Sequence, residues 1–227
     1  MSIIKRIQVA LLALLLAAAV QAQKPIQLKT AQDSASYAYG VVMSNSLKRQ
    51  ITADISTEML LAGLRAALMG EPTLISNDDA NRVYSNYSRM AQAKQAEAAR
   101  AEGAKFLAEN KKRKEVKTTE SGLQYEVLKK GPGGRSPKET DKVEVHYHGT
   151  LINGEVFDSS VDRGQKASFG LNQVIKGWTE GLQYMQVGDK FKFYIPAELA
   201  YGDRSPSPKI KPGSTLIFEV ELFNILD

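Results

Sequence analysis

The chain has 227 residues, of which 43% are hydrophobic and 24% charged, and its formal net charge is +5. That mixture is ordinary for one or two globular domains. The sequence has no cysteine and only two histidines, which excludes disulfides, thiolate metal sites, cysteine nucleophiles, lipid attachment to an N-terminal cysteine and a histidine-rich metal site.

Residues 1–22 have the three parts of a secretory signal peptide. Lys5 and Arg6 form the positive end, residues 7–20 are almost wholly apolar, and small residues precede a cleavage site after Ala22. The apolar stretch is short for a membrane span, which favours cleavage over a retained N-terminal anchor. We therefore expect an exported, periplasmic protein without stable membrane insertion after cleavage. An outer-membrane-associated or extracellular location is the alternative.

The segment 23–75 is predicted to be an all-α dimerisation domain. Residues 30–33 resemble a helix capping box and precede apolar residues at helical spacing. A second helix follows Ser56 and is stopped by Gly70. Because two short helices bury little apolar surface alone, we expect a homodimer through the N-terminal helices, with a small monomeric three-helix cap as the alternative.

A long linking helix is predicted for residues 76–114. After a serine cap, no glycine or proline occurs until Gly103, and helix-forming residues continue beyond it. The second half is so polar, with Phe106 and Leu107 as its only large apolar residues, that it predicts a solvent-exposed stalk. The basic run 111–114 is interpreted as a solvated helix end, and no nucleic-acid partner is expected.

After residue 114 the apolar period changes from 3.6 to 2. Alternation predicts strands, Asn153 and Gly154 predict a hairpin, and residues 174–185 predict one short helix. The predicted strands are 123–127, 143–147, 191–195 and 216–222. An antiparallel sheet wrapped over a short helix makes 115–227 an α+β domain.

Four linked motifs in that domain carry a family resemblance. In order and spacing they resemble FKBP-type peptidyl-prolyl cis-trans isomerases, at residues 142–158, 174–178, 199–202 and 215–220. Further segments resemble the macrophage infectivity potentiator (Mip) and FkpA-like branch, at residues 36–41, 62–64, 106–110 and 121–125. The branch implies a V-shaped homodimer in which intertwined N-terminal helices and long helices carry two separate FKBP-like domains.

The resemblance implies an apolar cleft. The catalytic residues implied are Asp158, Tyr201, Ile175 and Trp178, and the substrate-binding residues are Tyr147, Phe157, Arg163, Val174, Ile210 and Phe218. Trp178 would be the floor beneath the proline ring, while the Ile175 N–H and the Tyr201 hydroxyl would donate to substrate carbonyls. By periodicity alone the apolar members of this set would be core residues, and the linked motifs favour the cleft.

The remaining implications concern the rim and the ligands of that cleft. Asp158 is expected to pair with the Tyr147 hydroxyl or with Arg163. Macrolide inhibitors are implied ligands, and their binding should be weakened because Ala167 stands where many relatives carry an aromatic wall residue. The loop 203–212 is less apolar than in many relatives, which affects substrate preference more than activity.

The expected function is an exported isomerase that accelerates X–Pro bond rotation in proline-containing unfolded or partly folded proteins, together with chaperone activity. Rotation breaks no bond, so neither a cofactor nor a metal is expected. The alternatives are a dimeric holdase-type binding chaperone with incidental isomerase activity and a dimerisation module displayed at the cell surface.

Overall fold

The computed structural model describes residues 27–51 and 54–226, with the side chains of residues 49 and 50 excepted. Its contacts divide the chain into two compact units, 1–50 and 51–227, and each is considered by itself. The predicted signal peptide lies outside the described residues. None of the described helices combines the length and apolarity needed to cross a membrane.

The described part of the first unit contains helix α1, Ala31–Gln50. Its predicted capping box is confirmed, because the Asp33 N–H donates to Thr30 Oγ1 at 3.0 Å and the Thr30 N–H donates to Asp33 Oδ2 at 2.9 Å. The hydrogen bonds from Thr30 hold the pKa of Asp33 below its usual value. Large apolar side chains on α1 are exposed, among them Tyr39 at 73% and Val42 at 64%.

The second unit begins with two helices, α2 (Thr57–Met69) and α3 (Asn77–Asn110). Both start where the sequence predicts, because the hydroxyls of Ser56 and Ser76 each accept a hydrogen bond from a backbone N–H in the first turn. Gly70 ends α2 in the left-handed conformation, with φ of 67°. The three predicted helices are thus confirmed.

Helix α3 ends at Asn110, four residues before the predicted end. The Asn110 side-chain amide donates to Gln124 Oε1 at 2.9 Å, and Arg113 donates to the Tyr194 hydroxyl at 2.9 Å. These bonds join the end of the helix to the sheet, and the chain makes them instead of forming another helical turn. Arg113 therefore fastens the helix end to the sheet, although all four residues of 111–114 are exposed.

The second half of α3 packs against the rest of the second unit. Ala96, Gly103 and Asn110 are buried at a spacing of seven residues, which places them on one helix face. Phe106 and Leu107 lie between them and pack against a small apolar cluster on the sheet. The prediction of a solvent-exposed stalk is therefore wrong for this half, because the apolar stripe is made of small residues that hydrophobicity patterns underweight.

The described residues of 115–226 form a seven-stranded sheet in which every pairing is antiparallel. The strands are β1 (Val116–Thr118), β2 (Gln124–Lys129), β3 (Lys142–Leu151), β4 (Val156–Ser159), β5 (Ala167–Gly170), β6 (Lys190–Ile195) and β7 (Leu216–Leu226). Their order is β1-β2-β6-β7-β3-β4, with β5 also pairing β3. One short helix, α4 (Lys176–Leu182), packs on the inner face, so the predicted α+β fold class is confirmed.

The alternating residues predicted to face inward do so. On β3, Val143, Val145 and Tyr147 are buried, while His146 and His148 on the opposite face are partly exposed. The sequence did not indicate β1 and β5, because strands of three and four residues are too short to establish an alternating pattern.

Two glycines let α4 approach β6 closely. A Cβ at Gly177 would lie 2.5 Å from Ile195 Cγ2, and one at Gly181 would lie 2.6 Å from Phe193 Cε1. Neither distance is compatible with a side chain at the existing separation. The helix can lie at this depth only because both positions lack a Cβ.

We predict that Gly181→Ala lowers the free energy of unfolding of this unit by about 1–3 kcal/mol through overpacking. The measurement is urea unfolding followed by the fluorescence of Trp178, which is the only tryptophan in the sequence. Lys176→Ala, at an exposed position of the same helix, is the control and should change that free energy by less than about 0.5 kcal/mol. Equal stability of the two variants would contradict the packing argument.

Candidate active site

A cleft of about 720 Å³ opens between α4, the inner face of the sheet and the loop 203–212. Every site residue that the sequence predicted lines it, except Arg163, which contacts two of the lining residues at the rim. The lining residues are Tyr147, Phe157, Asp158, Phe169, Gln173, Val174, Ile175, Lys176, Trp178, Ala200, Tyr201, Pro206, Ser207, Ile210 and Phe218.

The walls of the cleft are aromatic rings that meet edge to face around Trp178. The Trp178 ring centre lies 5.4 Å from that of Tyr147, 5.2 Å from Phe218 and 5.7 Å from Phe169. Phe157 packs on Phe218 at 5.3 Å and 86°. Such pairs each add about 0.5–1.5 kcal/mol beyond their buried area, so the rings form a rigid apolar enclosure.

Gly149 on β3 provides the space that two of these rings occupy. A Cβ at this position would lie 2.7 Å from Phe157 Cζ and 2.9 Å from Phe218 Cε1. Any side chain here would force both rings to shift. This role could not be predicted from the sequence, because the reason for a glycine within a strand becomes visible only from its neighbours.

The rim carries a hydrogen-bonded group of three polar side chains. The Tyr147 hydroxyl donates to Asp158 Oδ2 at 2.5 Å, Arg163 donates to Asp158 Oδ1, and Arg163 also donates to the Tyr147 oxygen at 2.8 Å. The guanidinium carbon of Arg163 lies 5.6 Å from the centre of the Tyr147 ring. Asp158 thus pairs with both partners between which the sequence analysis left the choice open.

These contacts fix the charge states at the rim. Burial raises the pKa of Asp158, but hydrogen bonds from Tyr147 and Arg163 outweigh it and hold that pKa below its usual value. Burial, followed by the hydrogen bond to Asp158, raises the pKa of Tyr147. At neutral pH the carboxyl is therefore ionised, the phenol keeps its proton, and neither group is suited to act as a general base.

Several hydrogen-bond donors at the cleft have no acceptor among the described residues, and one of them is the buried Nε1–H of Trp178. The Ile175 N–H precedes α4 and makes no bond there, and the Tyr201 hydroxyl is likewise unpaired. Burial, and then the charge of Asp158, raises the pKa of Tyr201, so its O–H is retained at neutral pH. Both groups are available to donate to a carbonyl oxygen bound in the cleft.

The aromatic wall that the sequence analysis missed comes from Phe169. Ala167, at the position where many relatives carry an aromatic wall residue, is not among the cleft-lining residues, whereas Phe169, two residues further along β5, contacts both Tyr147 and Trp178. Recognising β5 as a strand would have placed both residues on one face. The other unpredicted lining residues are Gln173, Lys176, Ala200, Pro206 and Ser207.

Two family models match the chain and together span residues 32–223. One describes the FKBP-type peptidyl-prolyl cis-trans isomerase and matches residues 133–223. The other describes the domain amino terminal to FKBP-type peptidyl-prolyl isomerase and matches residues 32–127. The second match covers nearly all of α1, the whole of α2, α3 and β1, and most of β2.

Individual relatives cover nearly the whole chain. The FKBP-type 22 kDa peptidyl-prolyl cis-trans isomerase of Escherichia coli (strain K12) is 44% identical over 200 residues, which are 87% of this chain and 97% of that protein. The outer membrane protein MIP of Legionella longbeachae is 35% identical over 97% of each chain. The crystal structure of FkpA from Escherichia coli superposes with a TM-score of 0.66 at 36% identity, covering 88% of this chain and 99% of that one. The chain therefore belongs to the FKBP-type peptidyl-prolyl cis-trans isomerase family.

Proposed function

We propose that the aromatic cleft is the site of X–Pro isomerisation and that it acts by binding the twisted amide more tightly than the planar one. Rotation about a peptide bond has a barrier of about 18–20 kcal/mol because resonance stabilises the plane. Lowering that barrier by about 4 kcal/mol would accelerate rotation on the order of a thousandfold. Binding that favours the transition state is sufficient for this, without a covalent step.

The enclosure of Trp178, Tyr147, Phe157 and Phe218 around one opening carries this proposal. The planar amide is charge-separated and loses favourable solvation when it enters an apolar cleft. The twisted amide has less charge separation, so it loses less solvation free energy. The proline ring would lie over Trp178, which is only 4% exposed and is held by three neighbouring rings. Desolvation therefore favours the twisted form over the ground state.

Two of the unpaired donors would orient the substrate. The Ile175 N–H and the Tyr201 O–H can each donate to a carbonyl next to the rotating bond, which restricts the peptide to orientations that can twist. Asp158 would act electrostatically and by position, since it holds the Tyr147 hydroxyl and the Arg163 guanidinium at the rim. We assign Val174 and Ile210 to apolar contacts with the substrate.

Export, dimerisation and chaperone activity belong to the same proposal. The chain would be exported by residues 1–22 and act on proline-containing unfolded or partly folded proteins, where X–Pro isomerisation can limit folding.

Exposed apolar side chains on α1, on α2 and at the start of α3 favour a homodimer through these helices. The residues concerned include Tyr37, Val42, Met59, Leu68, Val83 and Tyr84. Apolar surface that remains exposed in such a dimer could hold a client, which supports chaperone activity and the holdase alternative.

Removing single cleft groups should lower turnover of a proline tetrapeptide. Tyr201→Phe deletes one donor and should lower kcat/KM roughly fivefold, equivalent to about 1 kcal/mol. Asp158→Ala should cost more, because it releases two partners, and Trp178→Ala should cost most. Tyr184→Phe, at an exposed tyrosine outside the cleft, is the control. If all three variants fold and keep full turnover, the assigned cleft is wrong.

The pH dependence of kcat/KM should be flat from about pH 5 to about pH 9. The pKa of Asp158 is lowered, so its ionised form is present above that pKa and is lost only as the solution becomes strongly acidic. The pKa of Tyr201 is raised, so its O–H is lost only in alkali. A midpoint within this range would contradict the assignment of Asp158 and Tyr201.

Dimerisation and chaperone activity can be separated from catalysis in the full chain. Val42→Glu together with Met59→Glu should convert a dimer in sedimentation experiments to a monomer, because both side chains are exposed apolar residues of the N-terminal helices. Turnover of a tetrapeptide should be unchanged, while suppression of the aggregation of an unfolded protein should weaken. Gln32→Glu, at an exposed polar position of α1, is the control. Equal protection by the monomer would contradict a role for these helices in client binding.

A further inference from the structure

The second half of α3 contacts the loop that forms one wall of the cleft. This cleft loop (203–212) directly follows Tyr201 and Gly202, and Ile210, Pro206 and Ser207 within it line the cleft. The N–H of Gly213 donates to the Gly202 carbonyl at 2.8 Å, which closes the base of the loop. Contacts that fix the base of the cleft loop therefore also fix the position of the cleft wall that the loop forms.

Arg100 of α3 binds both sides of the segment that carries Tyr201. Its Nε donates to Glu198 Oε1 at 3.1 Å, and its Nη1 lies 2.6 Å from Asp203 Oδ1. Glu198 precedes Tyr201 by three residues, and Asp203 follows it by two. One side chain of the helix thus spans the turn that presents the tyrosine to the cleft.

The far end of the cleft loop also rests on α3. Gly213, with φ of 76°, lies so close to the helix that a Cβ there would be 2.3 Å from the Ala96 carbonyl oxygen. Thr215, two residues after Gly213, also contacts the helix. A Cβ at Gly103 of α3 would lie 2.2 Å from Thr215 Oγ1. The helix backbone and the loop backbone are therefore in direct contact, which leaves the end of the loop little room to shift.

The opposite side of the cleft loop is tied to the strand that carries the rim carboxylate. Lys209 Nζ donates to the Val156 carbonyl at 2.9 Å, next to Phe157 and Asp158 on β4. The loop is thus held between β4 on one side and α3 on the other. Loss of the Arg100 contacts would free the start of the loop from α3, while the far end would still rest on Ala96.

We infer that Arg100 is a positioning residue for the isomerase cleft, and that α3 keeps Tyr201 and the cleft loop in the arrangement that binds substrate. This inference rests on the proposed function of the cleft. The partners Glu198 and Asp203 are 65% and 73% exposed, so these ion pairs contribute little to global stability. Their effect is local, since they set the fraction of molecules in which the loop is ready to bind.

The test compares Arg100→Ala with the native full chain on a proline tetrapeptide. If the loop is competent only part of the time, the apparent affinity falls to that fraction of its full value, so KM should rise about three- to tenfold while kcat stays unchanged. The urea midpoint reported by Trp178 fluorescence should not move. Lys105→Ala, at an exposed position of α3 that is not bonded to the loop, is the matched control and should leave KM unchanged.

Further variants of the full chain identify the ion pair as the cause. Arg100→Lys keeps the charge but loses the fork that reaches two carboxylates, so KM should lie between the native and Arg100→Ala values. Asp203→Asn should raise KM, and combining it with Arg100→Ala should add less than the sum of the two effects. High salt should raise the native KM toward that of Arg100→Ala.

The inference is overturned if Arg100→Ala has the same KM as the native chain and Lys105→Ala. It is also overturned if the effects of Arg100→Ala and Asp203→Asn are fully additive. Failure of the proposed function would be distinguishable, because Tyr201→Phe and Trp178→Ala would then keep full turnover. Loss of turnover in those two variants with an unchanged KM in Arg100→Ala would remove only the role of the helix.

Discussion

The close approach of α4 to the sheet sets the position of Trp178 against the aromatic walls of the cleft. Because Gly177 and Gly181 have no side chains, the helix lies directly on Ile195 and Phe193 of β6. Trp178, between these glycines in sequence, is then held against the aromatic residues of the opposite strands. A bulkier residue at either glycine would lift the floor of the cleft away from its walls.

An apolar enclosure of this kind needs polar groups only at its edge. The carboxylate of Asp158 is satisfied by Tyr147 and Arg163, so the charge at the rim is balanced before any substrate arrives. The Ile175 N–H and the Tyr201 hydroxyl stay available. This division suits a reaction whose catalysis requires orientation and desolvation rather than proton transfer.

Much of the fold was predictable because its signals are local and repeated. Capping serines before α2 and α3, alternation along β3 and the linked motifs around Trp178 each point to one structure. The packing of α3 against the rest of the second unit was not predictable, because its contact stripe contains Ala96 and Gly103, which contribute little to any hydrophobic pattern. The roles of Gly149 and Phe169 in the cleft were also missed, since both depend on which residues the pairing of β3 with β4, β5 and β7 brings together.

The central claim is that enclosure in the cleft, without covalent chemistry, accelerates rotation of the X–Pro bond. The most direct test measures isomerisation of a proline tetrapeptide by the full chain while a macrolide is titrated in and Trp178 fluorescence reports occupation of the cleft. We expect acceleration without the macrolide, and its loss at the same macrolide concentrations that saturate the fluorescence change. Acceleration that persists with the cleft fully occupied, or no acceleration by the unliganded chain, would contradict the account.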